Sequence, residues 1–297
     1  MIDETRLVAG IELGGTKSIA LVARGREIVE IARIPTAEPG PTLDALSAQL
    51  DAWQGAHGRV EAIGIGSFGP IGLDRGRADY GHITSTPKPG WANVDVVGHV
   101  ARRFDVPIGF DTDVAGAALA EYHWGAGQGC DVVLYLTIGT GIGGGVVVHG
   151  APVHGLVHPE LGHLRVRRAP GDDFAGVCPF HGDCLEGLAA GPAIGARTGM
   201  AGADVGDDHP VWALVVDELA EAMAMLMLTL SPRRILIGGG VFQHRQPLLD
   251  RIRARTADLL GGYVAGVGVA ELSGIIRAPG LGDKAGPLGA VALAYGA

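Results

Sequence analysis

Leu7-Val8-Ala9-Gly10-Ile11-Glu12-Leu13 runs into Gly14-Gly15-Thr16-Lys17 and then into Ser18-Ile19-Ala20-Leu21-Val22-Ala23. Two apolar runs joined by a Gly-Gly turn predict a β-hairpin. A third strand is expected over Glu27 to Ile34, after the turn Arg24-Gly25-Arg26. The same order returns further on. Asp131 to Ile138 is apolar and β-branched, Gly139 to Gly145 reads as a glycine turn, and Val146-Val147-Val148 returns as a strand. Leu13-Gly14-Gly15-Thr16 thus has an echo in Ile138-Gly139-Thr140-Gly141, a weak internal repeat. Two such halves predict a two-lobed α/β protein with a cleft between the lobes.

Around these hairpins, Pro41 to Gln54 has helical spacing, with Thr42 as the expected N-cap. A buried strand is expected over Val60 to Gly66, a helix over Val94 to Phe104, a strand over Ile108 to Asp111 and a helix over Val114 to His123. Pro210 to Leu230 reads as a long buried helix, Arg234 to Gly238 as a strand, Gln246 to Leu260 and Pro287 to Tyr295 as helices. Ala151 to Gly191 shows little periodicity, and an irregular insert of that length needs something to hold it.

Glycine supplies 50 of 297 residues, about 17 %, against a usual ~7 %. No G-X-Y period runs through the chain, which excludes collagen. Disorder is excluded by 47 % hydrophobic and 19 % charged residues. The net charge of −9 leaves no basic face for nucleic acid. Phosphates would be held locally, by backbone N–H groups, a cation or two, and a metal. The acidic N-terminus lacks a signal-peptide pattern, no apolar run is long enough to span a membrane, and the three cysteines form no disulfide framework. A reduced, cytoplasmic setting is expected.

Glycine turns admit phosphates because no Cβ blocks the approach. The spacing at Gly14 to Lys17 is not that of a P-loop. Gly139, Gly141 and Gly144 match G-x-G-x-x-G, but a strand follows where a dinucleotide fold has a helix. The reading that remains is a pair of glycine hairpins gripping one polyphosphate, joined by a third cluster at Gly238 to Gly240. Lys17 would bring charge, and Thr16, Thr137 and Thr140 hydroxyl donors. Glu12, at a strand end, could hold a water of Mg²⁺. In Phe110-Asp111-Thr112-Asp113, one Asp is expected to cap a helix and a carboxylate to serve as base in phosphoryl transfer.

Cys178-Pro179-Phe180-His181-Gly182-Asp183-Cys184 packs three soft or borderline ligands into seven residues, and His163 lies fifteen positions upstream. Cys₂His₂ is a closed tetrahedral zinc set without a catalytic water. His154 and His158 are alternatives if one ligand is wrong.

These segments resemble the ROK family of sugar kinases, repressors and open reading frames. The resemblance rests on Gly10 to Lys17, Glu160-x-Gly-His163, the Cys/His cluster and Gly238-Gly239-Gly240-Val241. It is closer to the family's bacterial fructokinases through Gly64 to Pro70, Thr84 to Trp91, Asp111 to Val114, Cys178 to Gly187 and Gly282 to Gly286. It spans essentially the whole chain. It implies the actin-like ATPase fold, two ribonuclease-H-like α/β lobes around a central cleft. A small lobe is expected over 1–118, completed by a C-terminal helix over 285–297. A large lobe is expected over 119–284, with a zinc-binding loop over 151–191.

The implied reaction is ATP plus D-fructose giving fructose 6-phosphate and ADP, with Mg²⁺. Asp113 matches the family's base. Glu160, His163, Glu186, Gly69 and Pro70 match sugar-site positions. Gly14, Gly15, Thr16, Lys17, Thr137, Gly139, Thr140, Gly141, Gly239 and Gly240 match nucleotide-site positions. His163, Cys178, His181 and Cys184 match the zinc ligands, so that His163 orders the sugar loop through the metal. A homodimer is implied too. Ala115 stands where many members have Asn, which puts one sugar contact in doubt. Glu12 for Asp and His181 for Cys both point to the fructokinase branch. Only six residues precede the first strand, so no DNA-binding repressor is expected. The alternatives are a kinase for mannose or glucose and a non-catalytic sugar sensor.

Overall fold

The computed structural model describes residues 2–202, 204–243 and 245–297. In chain order the elements begin β1 (Leu7–Leu13), β2 (Lys17–Arg24), β3 (Glu27–Pro35), α1 (Pro39–His57), β4 (Ile63–Ser67), β5 (His82–Ile83), β6 (Val94–Asp95), α2 (Val96–Ala101), β7 (Ile108–Thr112) and α3 (Asp113–Trp124). They continue with β8 (Val132–Ile138), β9 (Ile142–Val148), β10 (Ala151–Pro152), α4 (Leu185–Ala189), α5 (Gly191–Thr198), α6 (Val211–Leu230), β11 (Arg234–Gly238), α7 (Pro247–Leu260), α8 (Val269–Ile275), β12 (Ile276–Arg277) and α9 (Ala285–Tyr295). Among the described residues no helix is long and apolar enough to cross a membrane.

The chain divides into two compact units. The first comprises Met1–Gln128, Gly150–Pro159 and Asp283–Ala297. The second comprises Gly129–His149 and Glu160–Gly282. The first unit therefore runs past the expected boundary at 118, because α3 is a single helix to Trp124. Residues 150–159, expected in the large lobe, also belong to it. Two histidines pin them there: His154 donates to Asp111, and His158 accepts from the Ile71 N–H.

The first unit's sheet has the order β3-β2-β1-β4-β7. β1 and β4 are buried along almost their whole length, as parallel strands covered on both faces must be. β3, at the edge, alternates between exposed and half-buried residues. In register across β1, β4 and β7 stand Gly10, Gly64 and Gly109. A methyl at Gly64 would collide with the Ala290 carbonyl, and one at Gly109 with the Leu293 carbonyl, both on α9. The glycine column is thus a groove that lets helix backbone rest on strand backbone. Gly64→Ala is expected to cost about 3 kcal/mol by overpacking and to lower Tm by roughly 6–10 °C. A thermal melt checks it; an unchanged Tm would mean that α9 can move off the sheet freely.

The second unit's sheet includes β9-β8-β11-β12, with β8 parallel to β11 and antiparallel to β9. α6 buries Trp212, Val215, Leu219 and Met223 in its core. Its glycine turn is shorter than its composition suggests. β9 already starts at Ile142, and Gly143, Gly144 and Gly145 pair with Thr137, Leu136 and Tyr135. Gly144 leaves room for the Leu161 side chain, which a Cβ there would strike.

Other local expectations shift as well. Thr42 lies inside α1, whose N-cap is Glu38; its hydroxyl accepts from the Ala37 N–H. α5, α8 and β12 are additional elements that short, glycine-broken segments did not reveal.

Candidate active site

In the first unit, β1 ends at Leu13 and β2 opens at Lys17, so Gly14, Gly15 and Thr16 form the turn between them. Gly15, Thr16 and Lys17 are exposed there. The Thr36 hydroxyl donates to the Gly14 carbonyl at 2.8 Å, and Lys88 Nζ donates to the Gly15 carbonyl at 2.7 Å. Neither Thr36 nor Lys88 stood out in the sequence for this role, since a bond to a carbonyl leaves no motif.

Thr112, not either aspartate, caps α3: its hydroxyl accepts from the Ala115 N–H at 3.1 Å. Asp113 is the helix's first residue and accepts from the Val114 N–H at 2.9 Å. Burial pushes its carboxyl up to about 6, against the pull of the Val114 N–H and its own N–H. On β4, Gly66 pairs in register with Asp111, and a Cβ there would press on Asp113 Cα at 3.3 Å. Glu12 occupies the matching row on β1. Burial and then the neighbouring Asp113 carboxylate push Glu12 up to about 7, while Lys17 and Arg33 pull it down. Its Oε2 is buried without a hydrogen-bond partner. A cation or its water suits such an oxygen.

Asp111, 2 % exposed, points elsewhere: its Oδ2 accepts from His154 Nε2 at 2.8 Å. That hydrogen bond raises the imidazole of His154, while burial lowers that of His158. Gly69 and Pro70 are half-buried, and Gly69 adjoins the His158 ring. His154 and His158 are thus engaged in the first unit. Ala115 is buried on α3, one residue past Val114.

In the second unit the glycine clusters at 139–145 and 238–240 converge. The Val241 N–H donates to the Ile138 carbonyl, and Gly239, at φ +90°, lies so close to Ile138 that a Cβ would collide with its backbone. The Gly191 N–H donates to the Gly139 carbonyl at 2.8 Å. Thr137 is half-buried at the strand end, Thr140 and Gly240 are exposed, and Gly139 and Gly240 have open space beside Cα. Glu186 behaves otherwise than expected from a sugar contact alone. Its Oε2 accepts from the Ile142 N–H at 3.0 Å and closes over Gly141.

The segment carrying Glu160 and His163 leans on the same hairpin. Gly162 lies directly over the Ile142 carbonyl, where any side chain would collide. Glu160 is exposed at the start of this turn. His163, Cys178, His181 and Cys184 place their ligand atoms within 4.8 Å of one another. His163 Nδ1 lies 3.4 Å from Cys184 Sγ and 3.8 Å from Cys178 Sγ, and His181 Nδ1 lies 3.7 Å from Cys178 Sγ. Bond lengths to tetrahedral zinc imply N···S edges of about 3.6 Å. The four residues therefore fit that ion. Burial pushes the Cys184 thiol up to about 11; a bound cation inverts that preference. The loop closes through reciprocal bonds between the backbones of Cys178 and Gly182.

Comparison with known proteins places this geometry. The fructokinase of Pediococcus pentosaceus is 43 % identical over 292 residues, covering 98 % of each chain. A ROK hexokinase from Thermus thermophilus superposes with a TM-score of 0.80 at 29 % identity, over 97 % of this chain and 98 % of that one. A ROK family glucokinase from Streptomyces griseus, solved with glucose and AMPPNP, superposes with a TM-score of 0.77 at 28 % identity, over 98 % and 100 %. The fold is the actin-like ATPase fold. The sequence pattern of the ROK family matches residues 8–297, and the chain belongs to that family.

Proposed function

We propose that this chain is an ATP-dependent fructokinase, converting D-fructose and ATP into fructose 6-phosphate and ADP. The observation that carries the substrate is the full-length similarity to a fructokinase, which exceeds that to the hexokinase and the glucokinase. The chemistry is supported by Asp113. A half-buried carboxyl raised by desolvation to about 6 remains mostly ionised at neutral pH yet accepts a proton readily. It takes the proton of the sugar 6-hydroxyl as that oxygen bonds to the γ-phosphorus and the bond to ADP breaks.

Gly14, Gly15, Thr16 and Lys17 would hold phosphate. Thr137, Gly139, Thr140, Gly141, Gly239 and Gly240 would contact the nucleotide. Glu160, His163, Glu186, Gly69 and Pro70 are the sugar-side residues. Glu12 would hold a water of Mg²⁺, whose chemistry is to offset phosphate charge. His163, Cys178, His181 and Cys184 would hold a structural Zn²⁺. The enzyme works as a cytoplasmic homodimer. Coupled ADP-release kinetics across fructose, mannose and glucose test the reading. The expected result is the highest kcat/KM for fructose. A higher value for another hexose would reassign the substrate, and no turnover with any would leave a sugar sensor.

A further inference from the structure

The sequence contains three lysines, at 17, 88 and 284, against twenty arginines. A lysine carries a compact ammonium with three donors on a slender stem. Lys17 belongs to the first glycine turn, and Lys88 reaches the same turn from the loop between β5 and β6.

Lys88 is carried there by a rigid loop. Trp91 is fully buried, packs edge-on against Phe68 at 5.3 Å, and donates through Nε1 to the Ala37 carbonyl at 2.9 Å. The Trp91 N–H donates in turn to the Lys88 carbonyl. From this anchor Lys88 Nζ donates to the carbonyls of Gly15 and Thr36, at 2.7 and 3.3 Å. Among the described residues no carboxylate lies within ion-pair distance of it. The ammonium keeps its charge unneutralised beside the turn.

The consequence lies in the peptide planes. In a trans peptide the C=O and the following N–H point opposite ways. Thr36, itself held by the Ser18 hydroxyl at 2.7 Å, fixes the Gly14 carbonyl. Lys88 fixes the Gly15 carbonyl. The Gly15 and Thr16 N–H groups are therefore turned to the other side of the turn. Neither donates to any described residue. Two successive free N–H groups form an anion-binding nest.

We propose that Lys88 is a positioning residue for the nucleotide's phosphates: with Thr36 it holds back the carbonyls of the first turn so that the Gly15 and Thr16 N–H groups face the triphosphate. This deepens the kinase reading and rests on it. Without Lys88 the Gly15–Thr16 peptide is free to flip, which would present a carbonyl oxygen to phosphate.

The test is titration of the whole protein with AMPPNP and Mg²⁺, alongside steady-state kinetics and thermal melts. Lys88→Met is expected to weaken AMPPNP binding about thirty-fold, the effect of one charge-assisted hydrogen bond. KM for ATP should rise with it, while KM for fructose and Tm stay near those of the parent. Lys88→Arg should recover part of the loss. A loss below ten-fold in Lys88→Met overturns the proposal. So does an equal rise in both KM values, or a Lys88→Arg variant as weak as Lys88→Met. If the parent itself binds no AMPPNP, the nucleotide reading fails first and this proposal falls with it.

Discussion

Asp113→Asn is expected to lower kcat by about 10²–10⁴-fold, the usual worth of a positioned general base, while fructose affinity changes by no more than about threefold. The asparagine keeps the shape and can still accept from the Val114 N–H, but it cannot take the hydroxyl proton. In the parent, protonation of Asp113 removes the base, so kcat/KM should fall tenfold per pH unit below about 6. The variant's residual activity should lack that acid limb. A wild-type rate in Asp113→Asn would sink the assignment.

The same substitution carries a stability signature. The carboxyl is raised from 3.8 to about 6, so folding favours its protonated form. That stabilisation is complete below about 4 and is lost as pH rises through about 6. Asparagine stays neutral throughout. Asp113→Asn should therefore melt above the parent at pH 8, by on the order of 1–2 kcal/mol after solvent screening, and alike near pH 4. A variant that is inactive and also unstable at pH 8 would point to a folding defect instead.

Removal of zinc is the second large effect. Structural zinc contributes on the order of 10 kcal/mol to the segment it folds. The purified protein should hold one equivalent per chain, and Cys184→Ser should hold almost none. The variant should lose protease resistance over residues 161–187 and lose activity. The reason for the activity loss is local. Gly162 lies on the Ile142 carbonyl and Glu186 accepts from the Ile142 N–H, so the segments flanking the Cys/His set brace the second glycine hairpin from both sides. Metal analysis showing less than a tenth of an equivalent in folded, active protein would remove the zinc site.

Much of this was legible without coordinates because it is written at short range. The hairpin at Leu7 to Ala23 needs only its two runs and its turn. Cys178, His181 and Cys184 are neighbours by spacing, and the fifteen-residue reach to His163 follows from the same cluster. Other features were illegible because their partners are distant. Gly64 and Gly109 must be bare only because α9, more than 170 residues on, lies on them. Gly143 to Gly145 read as turn by composition, yet β8 pairs them as strand. Thr112, rather than either aspartate beside it, is the cap, and Asp111 accepts from the distant His154.

The sequence by itself determined the family and the two glycine hairpins and singled out Asp113 and the Cys/His set as candidates, since each depends on residue type at fixed local spacing. Tertiary structure alone decided which carbonyls of the first turn are held back, and by Thr36 and Lys88. It alone decided that residues 150–159 join the first unit, and that Glu186 and Gly162 seat the second hairpin. Most of those contacts have a backbone atom as one partner, and every residue carries one. A sequence therefore cannot mark them until packing brings the chains of atoms together.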